Sequence, residues 1–170
     1  MPKAPTPRPL RQPGHPSRFS SVPGDSPLIT ILLVEDSEAD IELALRGLQR
    51  AKLQNRILTV RDGADALAFL RREAPHQDAP RPDLVLLDLN LPKLDGRAVL
   101  KAIREDPGLR ELPVVVLTAS ESDEERFAAG AADAFMTKPV DFVQLAKIVG
   151  VIADLGWSIV HLSRLSSQRT

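Results

Sequence analysis

Between residues 28 and 155 the chain alternates short apolar runs with stretches in which apolar side chains return every three or four positions. The runs are 29–34, 56–60, 84–87, 114–117 and 134–136. All but the second are nearly continuously apolar, as strands covered on both faces are. Helical spacing occupies 37–51, 64–72, 97–105, 123–129 and 141–155. In the first of these Ile41, Ala44, Leu45 and Leu48 form the apolar stripe, and Ser37 with Asp40 predicts a capping box at its start. Asp62-Gly63, Asp95-Gly96 and Asp106-Pro107-Gly108 punctuate the boundaries. Strands alternating with helices predict an α/β fold, a doubly wound five-stranded parallel sheet. The longest interruption, 73–82, holds three prolines and reads as a surface loop.

Composition sharpens the domain picture. Residues 1–27 contain eight of the fifteen prolines and four basic residues against one acidic residue, too little apolar surface to offset the entropy of ordering. They are expected to be a disordered tail: a passive leader, a basic proline-rich docking segment or, more remotely, a transit peptide. Residues 28–155 form one domain, and 156–170 a C-terminal extension. A net charge of -1 and a pI near 6.3 supply no field for nucleic acid or an anionic membrane. There are no cysteines, which removes disulfides, thiolate metal sites and cysteine nucleophiles. No apolar stretch reaches the length of a membrane span or a secretory signal, so a cytoplasmic chain is expected.

In an open parallel sheet, chemistry gathers outside the carboxyl ends of the strands. There the first run ends in Glu35-Asp36, the third in Asp88, the fourth in Thr118 and the fifth in Lys138-Pro139. Carboxylates brought together repel by roughly 4 kcal/mol per pair at ~4 Å and an effective dielectric of ~20. A hard divalent cation relieves this, and an all-oxygen donor set suits Mg²⁺. With an ammonium and a hydroxyl added, the cluster has the parts of a phosphoryl-transfer site. Taken singly, Glu35-Asp36 reads as a helix cap, Asp88 as a turn residue, Thr118 as a strand-end hydroxyl and Lys138 as a surface charge. Their joint placement at successive strand ends favours the site.

The strings Ile31-Leu32-Leu33-Val34-Glu35-Asp36, LVLLDLNLPKLDG at 84–96, VVVLTA at 114–119 and Phe135-Met136-Thr137-Lys138-Pro139 resemble the response-regulator receiver domains of the CheY-like class. The resemblance covers about 29–155 and implies a flavodoxin-like strand order 2-1-3-4-5. It implies that Asp88 accepts a phosphoryl group from a phosphohistidine of a sensor kinase. Asp36, Asp88 and the Asn90 carbonyl would bind Mg²⁺, with Glu35 assisting through water. Lys138 would neutralise the phosphoryl oxygens, and a cis bond before Pro139 would aim it inward. Thr118 and Phe135 are the implied switch residues, and a phenylalanine lacks the hydroxyl that many relatives carry there. Asn90 and Ser120 stand where the family tunes phosphate lifetime, and Gly96 where it needs a small residue.

Too little chain follows the last helix for an effector domain, so output is expected from the receiver surface. Phe142, Leu145, Ile148, Val149, Val151, Ile152 and Leu155 form an apolar arc of about half that helix's circumference. With Trp157 they are expected to form a homodimer surface, or else a deeper core under the tail 157–162. That tail resembles the extension of phytochrome-associated response regulators, which makes a bacteriophytochrome kinase the favoured donor. His15, His76 and His161 lack ligand spacing and read as structural or surface residues. Two other readings stay open: a metal-dependent phosphatase, disfavoured because Asn90 stands where a second acid is needed, and an interaction module independent of phosphorylation.

Overall fold

Each apolar run becomes a strand in the computed structural model, which describes residues 28–50, 55–119 and 131–154. The strands are β1 (Ile29–Val34), β2 (Asn55–Val60), β3 (Leu84–Asp88), β4 (Val114–Thr118) and β5 (Ala134–Thr137). The helices are α1 (Glu38–Arg50), α2 (Gly63–Arg71), α3 (Gly96–Glu105) and α4 (Phe142–Asp154). The helix expected over 123–129, the tail 1–27 and the extension 156–170, with Leu155, Trp157 and Ser120, lie outside the described residues.

All strand pairs are parallel, in the order β2-β1-β3-β4-β5, with Leu32 in register with Leu58 on one side and Val85 on the other. Strand alternation splits the core into two layers. Leu32, Val34, Val85, Leu87, Val114 and Val116 meet Leu67 and Leu70 of α2 and Val99 and Ile103 of α3. Ile31, Leu33, Leu84, Leu86, Val115 and Leu117 meet Ile41 and Leu48 of α1 and Leu145 and Val149 of α4. Each such side chain contributes roughly 1.5–3 kcal/mol of transfer free energy. β2 and β5 are the two edge strands, and β2, whose run mixes polar with apolar residues, is only partly buried along most of its length.

Two expectations change. The Ser37–Asp40 capping box is half made: the Asp40 N–H donates to Ser37 Oγ at 3.3 Å. The Ser37 N–H, however, donates to Glu35 Oε1 at 3.0 Å, leaving the Asp40 carboxylate to another partner. The larger correction is in α4. Leu145, expected on a dimer surface, is fully buried with Val149 beneath the helix, and Ile148 is half-buried against the same layer. The sheet face takes these three members of the arc among the described residues. Val143 and Val151 stay exposed, at 68% and 36%. The side chains of Phe142 and Ile152 lie outside the described residues.

At the opposite end of the sheet from the carboxyl edge, Arg104 ties α3 to the strands that follow it. Its guanidinium donates to the carbonyls of Ala131, Arg110 and Leu112 and to Asp133 Oδ2, at 2.5–2.9 Å. The same Asp133 oxygen accepts the Val114 N–H at 2.8 Å. In the mostly exposed loop 73–82, His76 Nε2 lies 2.6 Å from Asp65 Oδ1 and its ring packs on Phe69, a structural role. Among the described residues no helix is long and apolar enough to cross a membrane.

Candidate functional site

The strand order reverses on either side of β1, since β2 lies to one side and β3 to the other. A crevice opens at such a point outside the carboxyl ends of the strands. Glu35 and Asp36 follow β1 directly, and Asp88 is the last residue of β3. One carboxylate oxygen from each of the three lies within 4.8 Å of the other two. Glu35 and Asp88 are buried, at 1% and 4% exposure, whereas Asp36 is exposed. The set is all oxygen, two-thirds buried and converging, which fits a hard divalent cation.

Lys138 enters from the end of β5. Its backbone N–H donates to the Thr118 carbonyl at 2.7 Å, and the Lys138–Pro139 peptide is cis, as the resemblance implies. Its Nζ lies 2.7 Å from Glu35 Oε2, 3.0 Å from Asp40 Oδ2 and 3.4 Å from Asp88 Oδ2. Burial alone would lower the lysine's pKa. Hydrogen bonds to Glu35 and Asp40, together with the Asp88 charge, outweigh that and hold it above its ordinary value. Burial pushes the Glu35 carboxyl up; Lys138 and the Ser37 N–H counter this in part, and Asp88 adds to it. One ammonium thus faces three carboxylates there.

Backbone packing fixes the acceptor loop. A Cβ on Gly96 would stand 2.2 Å from the Asp88 carbonyl oxygen, so only glycine lets α3 begin against the end of β3. The Gly96 N–H donates to the Leu89 carbonyl at 2.9 Å. A Cβ on Gly63 would lie 2.0 Å from the Leu94 carbonyl oxygen, so α2 abuts the same loop equally closely. Lys93, in the left-handed region at φ 63, reaches Asp62 Oδ2 at 2.6 Å and lowers that carboxyl's pKa. The exposed Asn90 donates its N–H to Asp88 Oδ1 at 3.3 Å.

The structure thus brings together Glu35, Asp36, Asp88, Asn90 and Lys138. Thr118 closes β4 beside them and is buried. Phe135 pairs in register with Val116 and is half-buried against the α2–α3 layer rather than fully enclosed. Sequence reasoning missed Asp40 as a partner of Lys138 and the Asp62–Lys93 pair that braces the loop. The available sign for Asp40 was its spacing, one helical turn beyond Asp36 on a helix that starts at the site.

A sequence profile of the response regulator receiver domain matches residues 31–150 of this fold. The chain belongs to the response regulator receiver domain family. Within it, the chain is similar to response regulator Rcp1 of Synechocystis sp., with 41% identity over 139 residues that span 81% of this chain and 95% of Rcp1. The Mn(2+)-bound form of Rcp1 superposes with a TM-score of 0.63 at 40% identity, over 78% of this chain and 96% of Rcp1. The phosphorylated cyanobacterial phytochrome response regulator RcpA gives 0.65 at 42%, over 79% and 97%. The bacteriophytochrome response regulator RtBRR gives 0.66 at 39%, over 82% and 90%.

Proposed function

We propose that this chain is a single-domain response regulator that takes a phosphoryl group from a sensor histidine kinase onto Asp88. The observation that carries the reading is Asp88 itself: a buried carboxylate at a strand end, one oxygen 3.4 Å from Lys138 Nζ, within a three-acid cluster. A carboxylate oxygen of Asp88 attacks phosphorus, an O–P bond forms, and the P–N bond to the donor imidazole breaks with the electron pair leaving on nitrogen. Lys138 faces the incoming oxygens and offsets their charge, and the Thr118 hydroxyl donates to one of them. Phe135 follows Thr118 as the second moving part.

Glu35, Asp36 and Asp88, with the Asn90 carbonyl, would hold Mg²⁺, which supplies charge neutralisation for the phosphoryl oxygens. The fit rests on the three converging carboxylates and on burial raising the Glu35 pKa, both of which a divalent charge relieves. A receiver does not turn over a substrate beyond its own phosphorylation and dephosphorylation, and it acts in the cytoplasm. Similarity to RcpA and RtBRR favours a phytochrome-type kinase as donor. Self-association through the last helix and the C-terminal extension fits the exposed Val143 and Val151. Sedimentation equilibrium tests that contact, and a single monomeric species would remove it. For the acceptor, the full chain is incubated with acetyl phosphate and Mg²⁺ and the modified residue is mapped. Asp88→Asn is expected to lower incorporation by at least ~100-fold. Undiminished labelling in that variant would refute the assignment.

A further inference from the structure

Asp40 is a charged residue at the site that no part of the phosphotransfer reading uses. It sits in the first turn of α1, and its carboxylate is turned away from the cap it was expected to complete. Instead it accepts from Lys138 Nζ at 3.0 Å, across 98 residues of sequence. An ammonium group has three protons: two of those on Lys138 go to Glu35 and Asp40, at 2.7 and 3.0 Å, and Asp88 Oδ2, at 3.4 Å, is held by charge without a hydrogen bond. One proton remains for a phosphoryl oxygen, and serving a second oxygen takes one from Glu35 or Asp40.

Drawing the lysine fully onto an arriving phosphoryl group means loosening one of its two hydrogen-bonded acids. Glu35 is the worst candidate, because its side chain is 1% exposed and its unpaired charge would stay buried. Asp88 is the acceptor and carries the new group. The Asp40 side chain is 40% exposed, so water can replace the lysine there at small cost. Charge points the same way: a divalent ion and Lys138 together balance the carboxylates of Glu35, Asp36 and Asp88, and Asp40 is the fourth.

We propose that Asp40 is a positioning residue that holds Lys138 in a resting place and releases it to the phosphoryl group. The inference rests on Asp88 being the acceptor. The latch slows loading, because its ion pair opens before the lysine serves the incoming oxygens. It also gives phosphorylation a second outlet. Lys138 and Asp40 stand together at the rim of a cavity of about 240 Å³, walled by Leu33, Leu43, Ala44, Leu117 and Val140. Parting them unties α1 from the Pro139 turn at that rim.

The test uses the full chain as wild type, Asp40→Asn and Asp40→Glu, with Mg²⁺ present. Phosphorylation by acetyl phosphate and the dissociation constant for beryllofluoride are measured, with thermal unfolding as a check on the fold. Asp40→Asn is expected to be phosphorylated about three- to tenfold faster and to bind beryllofluoride tighter by a similar factor. Asp40→Glu, which restores the charge, is expected to return both values toward wild type, a rescue that a merely structural role would not produce. Added in a Lys138→Met background, Asp40→Asn is expected to change neither value. Wild-type rates in Asp40→Asn, slower rates, or the same gain with Lys138 removed would each overturn the latch while leaving Asp88 as acceptor. Failure of the wild-type chain to be modified at Asp88 would take down the acceptor reading and the latch together.

Discussion

Asp83, just before β3, illustrates how a single side chain can set a pH response away from the site. Its Oδ2 accepts the Thr30 N–H at 2.7 Å, and its own N–H donates to the Thr30 carbonyl at 2.7 Å, joining the starts of β1 and β3. Burial raises its carboxyl pKa, and the Thr30 N–H opposes this only in part. Folding thus shifts that group toward its neutral form. Its contribution to stability is greatest below the unfolded-state value near 3.9 and is lost as pH rises through the folded value. Asp83→Asn keeps an acceptor oxygen and removes the charge. Relative to that variant, the wild type is expected to lose stability as pH rises above the unfolded-state value, in denaturant titrations at several pH values, and a flat difference would contradict it. The same scale shows what a pattern of residues can reveal. Glu35, Asp36, Asp88, Thr118 and Lys138 were legible because each ends or directly follows an apolar run. Asp40 and the Asp62–Lys93 pair were not, because their partners lie 98 and 31 residues away and depend on which loops abut.

Among the elements, the runs of the three interior strands and of the edge strand β5 announced themselves as apolar, and β2, at the other edge, differed in mixing polar residues into its run. Helix α4 was misjudged at its surface because an apolar count cannot say how much of a sheet face remains for it to cover. That face, holding Ile31, Leu33, Val115 and Leu117, takes Leu145 and Val149 into its core. Leu145→Ala is therefore expected to cost 2–5 kcal/mol, approximately, in chemical denaturation. Val143→Ala on the outer side is expected to stay within about 0.5 kcal/mol. Equal costs at the two positions would contradict the orientation of the helix. The Arg104 tie was equally hidden, since three of its four acceptors are backbone carbonyls, which carry no residue type.

For the molecule as a whole, the fold was readable from alternation, and the sheet order from resemblance; the charge balance at the carboxyl edge needed coordinates. Because burial raises the Glu35 pKa, the metal-free chain gains from that group below its ordinary pKa and loses the gain as pH climbs through the folded value. A divalent cation competes with the proton for those oxygens. Saturating Mg²⁺ is therefore expected to raise the melting temperature more at pH 8 than at pH 5, with up to about 2.7 kcal/mol available at a hundredfold excess over the dissociation constant. Thermal unfolding with Mg²⁺ and with chelator checks this, and a pH-independent shift would oppose it. The two-layer core has one more consequence. A wall of side chains almost without solvent contact keeps the α1–α4 flank from the α2–α3 flank. At the acidic rim, residues from the strand ends, a helix start and the connecting turns share charge. That rim borders both sides of the partition, so partners docked on opposite flanks would each stand next to the same change of charge.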